Sequence, residues 1–194
     1  MKNVIPFILL ICIICFLLYE IYMPYKRYKL TMEYFEKAKL LSKNKNKKIM
    51  VIGDPCSINF QSYIQKLLPK YQHGDITIDL FGCDCCDKMN INNITDWKKY
   101  NTNEYVVIET ATLSFGNNLN KILREIKRIS GGDFISSGGT TTIGWKLIGN
   151  KLYSVKYPNS IQNIIYPFDS KKDRYYKYYD LNSKKTVQID WRTL

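Results

Sequence analysis

The sequence predicts an α/β domain, a mostly parallel sheet with helices on both faces and an antiparallel C-terminal edge, carried behind one N-terminal transmembrane helix. Three observations predict it. Between residues 48 and 137 short apolar runs alternate with longer stretches of helical period, the order that builds parallel sheets. Past residue 140 that period gives way to aromatic and β-branched runs divided by turn signals, which read as antiparallel strands. Residues 4–19 contain no charge at all.

The N-terminal apolar run continues past Glu20 through Ile21, Tyr22 and Met23 to Pro24 and Tyr25. About 20 residues at about 1.5 Å each span about 30 Å of hydrocarbon. A cleaved secretory signal calls for a small-x-small site, and the bulky Ile21, Tyr22 and Met23 do not supply one, so residues 1–25 are expected to stay as an anchor. Tyr19, Tyr22 and Tyr25 stand where interfacial aromatics belong. Lys2 precedes the span, whereas Lys26, Arg27, Lys29, Lys37 and Lys39 follow it, which places the C-terminal domain in the cytoplasm. Residues 26–47 read as a juxtamembrane helix and basic linker. Leu30, Tyr34, Phe35, Ala38 and Leu41 recur at helical spacing, and residues 42–48 hold no apolar member.

The domain proper is then expected over residues 48–194. Residues 49–52 make a buried strand that stops at Gly53-Asp54-Pro55. Ser57 or Asn59 caps a helix whose apolar face is Phe60, Tyr63, Ile64, Leu67 and Leu68, limited by Pro69. Residues 76–81 form a second strand after Gly74-Asp75. A short helix around Trp97 follows, and residues 105–108 form a third strand. Leu119, Ile122, Leu123, Ile126 and Ile129 then mark one helical stripe, closed by Gly131-Gly132. Phe134-Ile135 opens a fourth strand. Residues 143–148 and 152–157 flank Gly149-Asn150 as a hairpin, and residues 161–168 and 175–181 add strands at the edge of the sheet.

Composition narrows the chemistry. The 194 residues carry a single histidine, His73, which excludes multi-histidine metal sites within the chain. The net charge of +12 invites a polyanion partner. Its distribution argues otherwise, because residues 51–150 hold ten basic and ten acidic side chains and lysine far outnumbers arginine. Nucleic acid is therefore not the expected partner; the membrane is. The six cysteines cluster rather than spread, unlike a disulfide-stapled secreted domain, and point to a reducing compartment.

In open α/β sheets ligands bind beyond the carboxyl ends of the strands, so the residues just after each strand carry the functional signal. VIGDP (residues 51–55), ITIDL (residues 76–80) and NLNKILREIKRISGGDFI (residues 118–135) resemble class I S-adenosylmethionine-dependent methyltransferases, whose fold is Rossmann-like. The resemblance covers about residues 48–137. The GDITIDL run with its cysteine-containing turn is also similar to methyltransferase-like proteins of large DNA viruses. What the resemblance implies is S-adenosylmethionine as cofactor, with Gly53 and Asp54 bordering its methionine part. Asp79 would accept its ribose hydroxyls, and Thr110 would stand near the methyl acceptor. The first loop carries one glycine where the family carries two or three, and Asn90, Asn92 and Asn93 occupy the stretch where an adenine-reading carboxylate is usual. A strand-end carboxylate satisfied by a turn accounts for Asp79 equally well. Two functions stay open: a membrane-anchored methyltransferase acting on an acceptor the sequence does not name, and a catalytically inactive scaffold of the same fold.

Cys83, Cys85 and Cys86 follow the second strand, and Cys56 follows the first. Adjacent parallel strands bring both turns to one edge, so the four thiolates are weak candidates for a tetrahedral zinc site. Reduced cysteines in a tight turn are the simpler expectation. Tyrosines interleaved with lysines near the C-terminus are read as sheet packing rather than a base-stacking surface.

Overall fold

The computed structural model describes residues 4–53, 74–80, 86–109, 112–136, 143–148, 151–156, 161–164, 168–180 and 183–194. The helix expected after Ser57 and the Gly149-Asn150 turn lie outside the described residues.

One helix, α1 (Val4–Lys45), runs from the apolar N-terminus to the edge of the sheet. The linker expected before residue 48 is thus largely helical. Lysine is a good helix former, and polarity alone does not end a helix. The stop comes at Asn46, whose φ of 52° turns the chain, while Lys47 N–H donates to Ser42 O and the Ser42 hydroxyl to Lys47 O. The transmembrane helix expected over residues 1–25 is not found as such. Among the described residues no helix is long and apolar enough to cross a membrane.

After a two-residue turn come β1 (Lys48–Ile52), β2 (Ile76–Asp79), β3 (Asp87–Lys88), β4 (Tyr105–Glu109) and β5 (Phe134–Ser136), all mutually parallel where they pair. A 3-10 turn (Ile94–Lys99) precedes β4, and α2 (Leu119–Ser130) precedes β5. Then follow β6 (Ile143–Ile148), β7 (Lys151–Lys156), β8 (Ile161–Ile164), β9 (Phe168–Asp169), β10 (Tyr175–Asp180) and β11 (Lys185–Asp190). The main sheet has the order β3-β2-β1-β4-β5-β9, with β9 antiparallel to β5. This is consistent with a Rossmann-like arrangement, and the order reverses at β1. The C-terminal strands depart from expectation. Of them only β9 joins the main sheet; β6 and β7 form their own two-stranded sheet, and β8, β10 and β11 an antiparallel three-stranded one.

Alternation along the strands sorts the core into two layers. Ile49, Val51, Val106, Ile108 and Ile135 face Phe35 and Ala38 of α1. Met50, Ile52, Val107 and Phe134 face Leu119, Ile122, Leu123, Ile126 and Ile129 of α2. Helices therefore cover both faces, and the second half of α1 is one layer of the domain rather than a tether to it. The α2 stripe is as predicted. Asn118 accepts from Lys121 N–H at its start, and Gly131, at φ 59°, donates to Lys127 O at its end. A side chain at Gly131 would strike Asn103. Arg128 ties α2 to the preceding segment through Trp97 O and Tyr100 O, at 2.8 and 2.9 Å. The three-stranded sheet seats Tyr176 and Trp191 on Phe134 and Phe168.

At the amino end of β5 the buried Asp133 carboxylate receives Lys45 at 2.6 Å, Lys47 at 2.7 Å and Lys171 at 3.1 Å. Burial by itself pushes this carboxyl up, but the three ammoniums outweigh it and hold it below the usual carboxylate range. A carboxyl whose pKa is lower folded than unfolded contributes stability that is complete above its unfolded value of about 3.9 and is lost as pH falls through the folded value. Asp133→Asn should therefore cost about 2–3 kcal/mol at pH 7, the lower end for a buried pair because Lys45 and Lys171 are partly exposed. It should also flatten the loss of stability below about pH 4. Urea unfolding of the full chain in detergent at pH 7 and pH 3.5 checks both, and an unchanged acid limb in the variant would refute the assignment.

Candidate functional site

The carboxyl ends of β1, β2, β4 and β5 meet at one edge of the main sheet, with the reversal of strand order at β1. Gly53, the residue after β1, is buried with φ at 90° and donates its N–H to Ile78 O of β2 at 2.8 Å. The positive φ is the reason glycine stands there, since a side chain would be strained. The turns that leave β1 and β2 thus start side by side. Asp79 is the last residue of β2, half-buried, with its carbonyl accepting from Met89 N–H at 2.8 Å. Gly53 and Asp79 are the two expected cofactor residues that the structure brings to the same edge. Asp54 and Thr110 lie outside the described residues. Thr112, two positions on, bridges the β1 and β4 ends by donating its hydroxyl to Ile52 O at 3.3 Å.

The residue that sequence reading passed over is Glu109. It ends β4 and is fully buried. Its Oε1 accepts from Leu113 N–H at 2.8 Å and its Oε2 from the Ser136 hydroxyl at 2.5 Å. Tyr105, Val107 and Glu109 share the α2 side by alternation, which carries the carboxylate into the core layer on that side rather than out to solvent. Burial first, and then the charge of Glu109, push the phenol of Tyr176 well above its ordinary value, while its hydrogen bond with Ser136 acts the other way. Tyr176, Ser136 and Glu109 therefore form a buried polar line from β10 to the switch point. The signal was present in the sequence. A carboxylate closing the apolar run Tyr-Val-Val-Ile is out of place in a buried strand unless something holds it.

The cysteine expectation is corrected at the one described position. Cys86 is disulfide-bonded, with its partner outside the described residues. A sulfur in a disulfide is not a thiolate and does not ligate zinc. Cys56, Cys83 and Cys85 lie outside the described residues, as does His73. Among the described residues no group of three or more His, Cys, Asp or Glu side chains could hold a metal ion. The disulfide also departs from the reducing environment inferred from cysteine clustering.

Removing the Glu109 carboxylate should leave two buried donors unmet. Glu109→Ala is expected to cost about 2 kcal/mol or more in thermal unfolding, and Glu109→Gln, which retains an acceptor oxygen, about 1 kcal/mol. Equal losses for the two variants would mean that Glu109 acts only by filling space. Compared with known proteins, the chain matches no family model, no curated protein and no solved structure.

Proposed function

We propose that this chain is a membrane-anchored, Rossmann-like protein that binds S-adenosylmethionine at the carboxyl edge of its sheet and transfers a methyl group from it. The observation that carries this reading is the pairing of Gly53 and Asp79 on adjacent strand ends beside the reversal of strand order. A glycine backbone after β1 permits close approach of a ligand, and in this reading the carboxylate at the end of β2 would accept the two hydroxyls of a ribose. These residues fit the cofactor that the sequence resemblance implies. The chemistry supplied by the bound cofactor is a methyl group on a sulfonium, which needs in-line positioning more than acid or base help. Gly53 would border the bound molecule, Asp79 would orient its ribose, and the Glu109 and Ser136 pair would keep the floor of the crevice fixed.

The anchor belongs to the same proposal. From Phe7 to Leu18 every described large apolar side chain of α1 is 45–62% exposed, and a helix that is apolar all round requires a nonpolar surrounding. Sequence extends that surface uncharged from Val4 to Tyr19. The positive flank after it favours a cytoplasmic domain, whereas the disulfide at Cys86 favours an oxidising side. We take the flank, which sets orientation during insertion; a domain found on the oxidising side would instead account for the disulfide. Protease added to sealed, cytosol-facing vesicles should digest the domain, and protection would reverse the topology.

Calorimetric titration of the full chain in nanodiscs with S-adenosylmethionine and its demethylated product tests the site. Binding is expected, and Asp79→Ala should weaken it by about 1–3 kcal/mol, the cost of leaving buried hydroxyls unmet. Unchanged affinity would remove the ribose assignment. No binding at millimolar cofactor would make the protein a scaffold of this fold.

A further inference from the structure

The direction of α1 decides which edge of the sheet looks toward the membrane. Lys45 and Lys47 both reach Asp133, the residue before β5, so the C-terminal end of α1 lies at the amino edge of the sheet. Eight residues earlier Lys37 pairs with Asp169, whose register partner is Ile135, one residue short of the end of β5. Between these two clamps the helix rises about 12 Å at about 1.5 Å per residue, running from the level of Asp133 past that of Ile135 in the direction of the carboxyl edge. Followed further toward its N-terminus, the same helix passes beyond the carboxyl edge and enters the apolar run. Tyr25 stands about 18 Å along the axis from Lys37.

A headgroup layer takes up about 5–7 Å of a leaflet, which brings lipid to within about 10–13 Å of the strand ends. Pro24 lies within α1 and removes one helical hydrogen bond. Leu80, the residue after β2 at this edge, is 46% exposed, an apolar side chain on the side nearest the bilayer.

We propose that α1 is a strut that holds the carboxyl-edge crevice facing the bilayer from which it rises, so that the second molecule to meet this crevice is a membrane phospholipid through its headgroup. The proposal rests on the carboxyl-edge ligand site and on the anchor argued above. Its structural content is the pair of clamps at Asp133 and Asp169, which fix the helix against the sheet. With Phe35 and Ala38 packed on the sheet between them, they set the direction in which the helix leaves the domain.

Photo-cross-linking of the full chain in phosphatidylcholine and phosphatidylglycerol nanodiscs tests it, with benzoylphenylalanine replacing Phe16, Leu80 or Asn101 one at a time. Phe16 reports the anchor, Leu80 the carboxyl edge and Asn101 the opposite edge. Lipid adducts detected by mass spectrometry are expected at Phe16 and Leu80, with at least a tenfold lower yield at Asn101. No adduct at Phe16 would remove the anchor and the strut with it, leaving the cofactor titration to stand by itself. An adduct at Phe16 with none at Leu80, or equal yields at Leu80 and Asn101, would overturn the strut and spare both the anchor and the cofactor site. Seven residues inserted after Lys29 keep the helical phase and add about 10 Å. The Leu80 yield should then fall several-fold while Phe16 is unaffected, and an unchanged Leu80 yield would overturn the strut. Adducts from native membranes in which Leu80 captures protein in place of lipid would overturn the phospholipid assignment.

Discussion

A buried carboxylate that must be neutralised organises this molecule. Asp133 is 1% exposed, and a lone ion so placed would be prohibitive. Three lysines meet it from separate stretches of chain: Lys45 from the last turn of α1, Lys47 from the turn into β1, and Lys171 from the turn after β9. Its backbone meanwhile takes part in the turn after α2 and in the ladder to β4, through Ser130 O and Val107 N–H. One residue, through its side chain and its backbone together, thus joins both helical layers and the antiparallel edge at a single point. Lys37 and Asp169 make a second junction farther along α1, and between the two Phe35 and Ala38 close over the sheet.

The two edges of the sheet consequently differ in kind. The amino edge is a lattice of opposite charges with Asn103 and Ser130 filling the remaining valences of Lys47, which suits an immovable base. The carboxyl edge holds a carboxylate met by neutral donors, Leu113 N–H and the Ser136 hydroxyl, beside a glycine in the left-handed region.

Much of the architecture was legible residue by residue. The stripe from Leu119 to Ile129 and its glycine stop define α2 because a 3.6-residue period and a left-handed terminus are local properties. The apolar runs at residues 49–52 and 105–108 are strands for a comparable reason, and Gly53 follows the first; the second strand was expected over residues 76–81 and ends instead at Asp79. Other parts were not legible. Residues 42–45 look like solvated linker because their partners, Asp133 above all, lie some ninety positions away. Glu109 looks like an ordinary charged residue until β5 supplies Ser136. The strands after residue 140 were expected to extend one sheet, and nothing local distinguishes an edge from a separate layer.

The sequence by itself determined the α2 stripe and its glycine stop, the strands at residues 49–52 and 105–108, and that residues 4–19 carry no charge. Those depend on periodicity and side-chain chemistry within a few positions. Tertiary structure alone decided that α1 is continuous from the apolar run into the core, that Cys86 is oxidised, that Glu109 is drawn inward, and which edge of the sheet α1 rises past. Each of these depends on a partner distant in sequence, and the energy of a buried charge or a packed ring is set by what lies across from it in space.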